Sequence, residues 1–370
     1  MKFRDFFLIN KRVFIFIIIG LLIEEMLVSI LISYKFSTPE AQKLPTYDKA
    51  TLNLWINQIE KNNGYEIVIL GDSVVHGDNV ESNKTLPIYI SKEINKLLPG
   101  KKVKVFNMGM AGASPVEIFF LVDALQGVGA DLFIYDINLG WFSRKETLEH
   151  RSLLELKKNL SEQKLQSLGI EPLKQTDTPI EEWLSSHLFN HWKLFQYRIL
   201  MNYWLFGKPL RQKLEEAKNN PSMLLPFTED KTQEILEMRA PWSTKNWAGK
   251  LDPTKGRVGD VYLSDNNAQW VLYQMLLDLV NTRKIPMIFF VTPRNYELLD
   301  SYEMVNRDTY AKNLSIVINS AEDKGIPVLN YDNAIPNDLF VDTIHPLPKG
   351  NQILAVYIVH DLINKGYIKR

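Results

Sequence analysis

Five short apolar runs are separated by stretches of helical periodicity. The runs are EIVIL at Glu66 to Leu70, KVKVFNM at Lys102 to Met108, DLFIYDI at Asp131 to Ile137, PMIFFVT at Pro286 to Thr292 and IPVLNY at Ile326 to Tyr331. Runs this apolar do not alternate, so they predict strands buried on both faces, and their alternation with helices predicts a parallel α/β sheet. Helices are expected over about Thr85 to Leu98, Pro115 to Gly127, Asn267 to Arg283 and Asp308 to Lys324, with a last one beginning near Lys349. Between roughly Ser143 and Gly259 no such run recurs and charge and aromatics dominate, as in WLSSHLFNHWKLFQYRILMNYWLFGKPL. That segment reads as a mainly helical insertion, its aromatics forming either its own core or a face for glycan or lipid.

The N-terminus has a different pattern. Val13 to Tyr34 is almost wholly apolar and about 22 residues long, enough for a helix to span a bilayer core of about 30 Å. Lys2, Arg4, Lys11 and Arg12 precede it and only Lys35 follows closely, so the positive-inside rule predicts a cytoplasmic N-terminus, with the rest outside a cell membrane crossed once. No small-x-small site ends the run, which predicts an anchor that is retained. Glu24 and Glu25 fall near its middle, where ionisable residues point either to a partner membrane protein or a proton path, or else to protonated acids or a tilted, marginal helix. A stalk, Lys35 to Tyr47, and an amphipathic lead helix, ATLNLWINQIEK, follow.

Charge and composition remove some function classes. The 43 Lys and Arg balance 43 Asp and Glu, giving no global drive toward nucleic acid. With no cysteine, neither a disulfide framework nor a thiolate metal site can be drawn. His187 and His191 have a helical metal-ligand spacing but lack the Glu of H-E-x-x-H and a third ligand, so neither a metal nor a cofactor is expected.

Candidate chemistry concentrates in YEIVILGDSVVHG, Tyr65 to Gly77. Ser73 follows the first strand, at the sheet edge where open α/β sheets bind ligands, and is either a nucleophile or part of a helix cap. Asp342 and His345, three apart in LFVDTIHPLPKGN, follow the last strand and precede the last helix. That topology brings them to the same edge, where an imidazole could take the serine proton while a carboxylate orients it. Oxyanion donors are sought at neighbouring strand ends: the Ser73 and Gly112 backbone N–H groups and the Asn138 amide. A strand order of 2-1-3-4-5 would put Ser73 and Asn138 on either side of the topological switch point.

These blocks resemble those of the SGNH (GDSL-type) hydrolases. Gly71-Asp72-Ser73 with Gly77 is similar to the first block, Gly112 in NMGMAGAS to the second, Asn138 to the third and Asp342-Thr343-Ile344-His345 to the D-x-x-H of the last. Where the family commonly reads G-x-N-D, this chain has Asp136-Ile137-Asn138-Leu139. The resemblance implies a flavodoxin-like three-layer α/β/α catalytic domain over 65–143 and 266–370, with anchor 1–34, stalk and lead helix 35–64 and insertion 144–265. It also implies a catalytic Ser73, His345 and Asp342. Anchored members of bacterial envelopes act in O-acylation of polysaccharides beside a multi-pass membrane acyltransferase. The expected function is therefore an extracytoplasmic esterase or O-acyltransferase on acyl, foremost acetyl, esters of a glycan. A weakly catalytic glycan-binding scaffold is the alternative. His76, Arg144 and Arg294 are candidate substrate contacts.

Overall fold

A computed structural model of the protein describes residues 11–37, 43–60, 64–144, 148–156, 160–171, 192–206 and 237–369. The chain divides into two compact units, one of residues 1–41 and 174–228 and one of residues 42–173 and 229–370.

The larger unit is built on a five-stranded parallel sheet in the order β2-β1-β3-β4-β5. Its strands are β1 (Tyr65–Leu70), β2 (Val103–Asn107), β3 (Leu132–Ile137), β4 (Met287–Val291) and β5 (Val328–Asn330). Each lies inside one of the apolar runs except that β1 begins one residue earlier, at Tyr65. The register pairs Ile69 with Asn107, Leu70 with Tyr135 and Val291 with Asn330, so the carboxyl ends of all five strands align along one edge.

The α-helices among the described residues, numbered in chain order, are α1 (Lys11–Lys35), α2 (Lys49–Glu60), α3 (Ser73–His76), α4 (Leu86–Leu97), α5 (Pro115–Leu125), α6 (Glu162–Ser167), α7 (Lys193–Gln196), α8 (Arg198–Phe206), α9 (Ala268–Arg283), α10 (Tyr296–Ser301), α11 (Arg307–Glu322) and α12 (Pro348–Asn364). Their starts follow local chemistry. Asn267 caps α9 by accepting from the Trp270 N–H, Asn306 caps α11 through Thr309, and Ser114 with Glu117 forms a capping box on α5.

Alternation along each strand divides the core into two layers. Ile67, Ile69, Ile134, Ile288 and Phe290 pack with Leu86, Ile90 and Ile94 of α4 and Leu354, Ile358 and Leu362 of α12. Full burial of each such side chain contributes about 1.5–3 kcal/mol. On the opposite face Tyr135 meets Phe289 edge to face at 5.0 Å, and Phe142 meets Tyr273 of α9 at 5.3 Å. Helices therefore cover both faces, as the apolar strands require. Among the described residues of the predicted insertion there is no strand, only short helices and an isolated bridge from Val258 to Val305.

In the smaller unit α1 is long and apolar enough to cross a membrane, with a mean hydropathy of 2.6 over its best window. Length and composition fit a membrane span or a signal sequence alike. Its two acids have partners in the same unit. Glu24 accepts from the Trp192 indole, while Glu25 accepts from the Lys193 backbone N–H at 2.6 Å and pairs with the Lys193 ammonium at 3.2 Å. Lys193 also donates to Ser29 at 2.8 Å. Of the two acids only Glu25 thus has a cation partner among the described residues, and Glu24 Oε1 is buried without a hydrogen bond. His187 and His191 lie outside the described residues.

Candidate active site

The loops after β1, β2, β3 and β4 converge on the carboxyl edge of the sheet. After β1 the chain turns at Gly71, where a Cβ would lie 2.5 Å from Val75 Cγ2 and 2.7 Å from Asp136 Cβ. Only glycine passes that gap. Asp72 is then the N-cap of α3, its Oδ1 accepting from the Val74 N–H at 2.8 Å. The capping role belongs to Asp72, which leaves the hydroxyl of Ser73 free of it. Gly77 closes the short helix with φ of 79°, and its N–H donates to the Ser73 carbonyl at 2.8 Å.

The Ser73 hydroxyl instead meets His345, with Nε2 2.8 Å from Oγ. His345 Nδ1 is 2.8 Å from Asp342 Oδ2, and Asp342 Oδ1 accepts from the Ile344 and His345 N–H groups, both at 2.9 Å. The loop is closed by Val341 N–H to His345 O at 2.8 Å and clamped by buried Asn295, whose N–H donates to Thr343 O and whose amide donates to Asp342 O. Sequence reading missed Asn295. It follows Arg294 in the loop after β4, and only the fold brings that loop against residues 342–345.

Gly112 lies in the loop after β2, which is pinned to the neighbouring strand by Met108 N–H to Ile69 O and Met110 N–H to Gly71 O. Gly112 has φ of 72°, a left-handed conformation that favours glycine. Among the described residues, neither the Ser73 nor the Gly112 backbone N–H has a hydrogen-bond acceptor. Asn138 is fixed more firmly. Its amide donates to Asp72 Oδ2 at 2.5 Å, and its carbonyl accepts from the Gly140 N–H at 3.0 Å and from the Arg294 guanidinium. Because a guanidinium only donates, it sets which end of the Asn138 side chain is oxygen. The Trp141 indole also donates to Asp72 Oδ2, at 2.5 Å.

The other sequence candidates have defined partners. Arg294 is buried, its Nε donating to Tyr310 at 2.9 Å, so its guanidinium stands behind Asn138. Arg144 donates to the Gly112 carbonyl at 2.7 Å and pairs with Glu149. His76 Nε2 is 2.9 Å from Leu44 O, and its other nitrogen meets Asp78. Asp136 is buried and accepts from Thr292.

The electrostatics are uneven. Burial alone would lower the His345 pKa, but the hydrogen bond and charge of Asp342, with Asp72 and Asp78 beyond, outweigh it and raise the imidazole above its ordinary value. Burial would raise Asp342, yet its bonds to His345 and to the two backbone N–H groups hold it below the usual carboxylate range. The Asp136 pKa is pushed well up, first by burial and then by the charge of Asp72, both of which disfavour its charged form. A small pocket of about 10 Å³ is lined by Ser73, Gly77, Asn79 and His345 among others.

No protein-family model and no curated protein matches this chain. Solved structures do. One is the acetyl xylan esterase AlAXEase, 10% identical, covering 80% of this chain and 100% of its own at a TM-score of 0.39. Another is a catalytic mutant of Axe2, an acetylxylan esterase from Geobacillus stearothermophilus, with 14% identity, coverage of 82% and 96% and a TM-score of 0.38. A third is a carbohydrate acetylesterase family member from Sinorhizobium meliloti, with 7% identity, coverage of 81% and 99% and a TM-score of 0.30.

Proposed function

We propose that the larger unit is a serine esterase or O-acyltransferase working through an acyl-enzyme. The supporting observation is the hydrogen-bonded chain from Ser73 through His345 to Asp342, with both links at 2.8 Å. In this reading Ser73 Oγ attacks an ester carbonyl while His345 Nε2 takes the hydroxyl proton, and Asp342 stabilises the imidazolium formed. The unpaired N–H groups of Ser73 and Gly112, with the second amide hydrogen of Asn138, receive the oxyanion. His345 then passes its proton to the departing alkoxide as the C–O bond breaks. In the second half, water or a sugar hydroxyl gives a proton to His345 and attacks the acyl carbon, and Ser73 recovers its proton as it leaves. Water makes the reaction hydrolysis; a sugar hydroxyl makes it transfer.

α1 suits a retained anchor that keeps the enzyme at the outer face of a cell membrane, where esters of an envelope polysaccharide are the natural substrate class. The test is labelling of the full-length protein by a fluorophosphonate serine probe. Wild type is expected to label and Ser73→Ala is not; equal labelling refutes the nucleophile. A protein in which Ser73→Ala keeps full function in polymer acylation would be the glycan-binding scaffold instead.

A further inference from the structure

Beside the loop that carries Asp342 and His345 lies an open cleft of about 650 Å³. One wall is Val341 and Asp342; the other is the segment 237–250, which no motif in the sequence singles out. This wall is built on the loop itself. Trp242 N–H donates to Phe340 O at 2.9 Å, the Trp242 indole donates to Asn337 O at 2.8 Å, and the Trp247 indole donates to Trp242 O at 2.8 Å. Asn79 lines both this cleft and the small pocket that holds Ser73 and His345, so the two are neighbours that share a wall residue.

The chemistry of the wall is specific. The ammonium groups of Lys245 and Lys250 each lie 6.0 Å from the centre of the Trp247 ring. Lys245 spends two of its three N–H donors on Met238 O at 2.8 Å and Val341 O at 3.1 Å, leaving one. Lys250 is exposed; its backbone N–H donates to Trp247 O at 3.0 Å, while its ammonium has neither an ion pair nor a hydrogen bond among the described residues. Among the described residues the carboxylates lining the cleft are Glu237 and Asp342, and Asp342 is committed to His345, so among these residues the lysines are in excess. An indole ring offers a stacking face to a sugar, the amides of Asn79 and Asn246 suit its hydroxyls, and two ammonium groups on one wall suit an anionic substituent.

We infer that this cleft binds an acidic glycan, a polymer whose repeating units carry carboxylate or phosphate, and leads it to Ser73. The inference deepens the reading of the larger unit as an esterase or O-acyltransferase and rests on it for the direction in which the polymer runs. A neutral polysaccharide would leave Lys250 without purpose.

The test separates binding from catalysis. Full-length Ser73→Ala protein is titrated with an oligogalacturonate, an oligo(glycerol phosphate) and a neutral xylo-oligosaccharide of equal length. At least one anionic oligomer is expected to bind roughly tenfold more tightly than the neutral one, and to weaken as salt rises from about 50 to about 500 mM. Which anionic oligomer binds identifies carboxylate or phosphate as the substituent. Lys250→Glu is expected to lower that affinity roughly tenfold and Lys250→Arg to retain it, since a new charge repels what the old one held. Lys250 is exposed and unpaired, so neither change threatens the fold. Equal affinity for neutral and anionic oligomers, an unchanged Lys250→Glu, or no binding by any of the three overturns the inference. Failure of Ser73 to label with the fluorophosphonate, with anionic binding intact, would remove the acyl-enzyme reading and leave the cleft standing.

Discussion

Replacing Asp342 by Asn changes one oxygen for an NH2 group and little else in volume, so its effect is electronic. Asp342 Oδ1 accepts two backbone N–H groups at 2.9 Å, and in the variant the remaining carbonyl oxygen must stay there, because an NH2 facing two donors has no acceptor. The NH2 is therefore turned toward His345 Nδ1, now 2.8 Å from a donor rather than an acceptor. His345 can satisfy it only in the tautomer with its lone pair on Nδ1, which puts the ring proton on Nε2. The Nε2 that faces Ser73 Oγ at 2.8 Å then presents N–H in place of a lone pair and cannot take the serine proton. In the general Ser-His-Asp template this exchange lowers the rate about 10⁴-fold, equivalent to about 5.4 kcal/mol in the barrier. The assay is the second-order rate of fluorophosphonate labelling of full-length wild type and Asp342→Asn at neutral pH, with circular dichroism confirming the fold. Labelling of the variant within tenfold of wild type would refute the assignment of His345 as an Asp-oriented base.

Labelling of wild type should rise with pH through a midpoint above the ordinary imidazole value of about 6.5, because the reactive form is neutral His345 and Asp342 raises its pKa despite burial; a midpoint below that value contradicts the electrostatics. Arg294→Met should lower stability by roughly 2–4 kcal/mol and slow labelling, since it strips a buried guanidinium from Asn138 and Tyr310. Urea unfolding and labelling rates read both, and Arg294→Lys should restore part of each. Asp136→Asn tests a buried acid whose folded pKa is raised, so the wild type loses stability relative to the variant as pH climbs from about 4 toward the folded pKa, by up to about 1.4 kcal/mol per pH unit. Parallel unfolding midpoints for the two proteins between about pH 5 and pH 7 would show that Asp136 does not titrate this way.

Arg294 and Asn138 show how far chain order carries the reading. The two are far apart in sequence, and the side chain that seemed free to meet substrate is buried against the one assigned to the oxyanion. Spacing places both after strands, at one edge, but not which donor satisfies which acceptor. Likewise, the sequence shows an Asp at position 136, while its surroundings, burial against the Gly71 turn and a raised pKa, depend on the sheet register that puts β3 beside β1.

By itself the sequence determined what is local or repeats with a short period. Apolar runs and helical periodicity set the five strands, the helices between them and the long apolar N-terminal helix. The short-range motifs put Ser73 after β1, and Asp342 with His345 in one loop. Tertiary structure alone decided the pairing of distant polar groups. It brought Ser73 to His345, tied Asp72 to Asn138 and Trp141, gave Glu24 and Glu25 their partners in Trp192 and Lys193, and raised the 237–250 segment into a cleft wall. The physical reason is range. Burial of apolar side chains is non-directional and leaves its pattern along the chain, whereas a hydrogen bond or ion pair requires two groups within a few ångströms, a condition met only when the chain has folded.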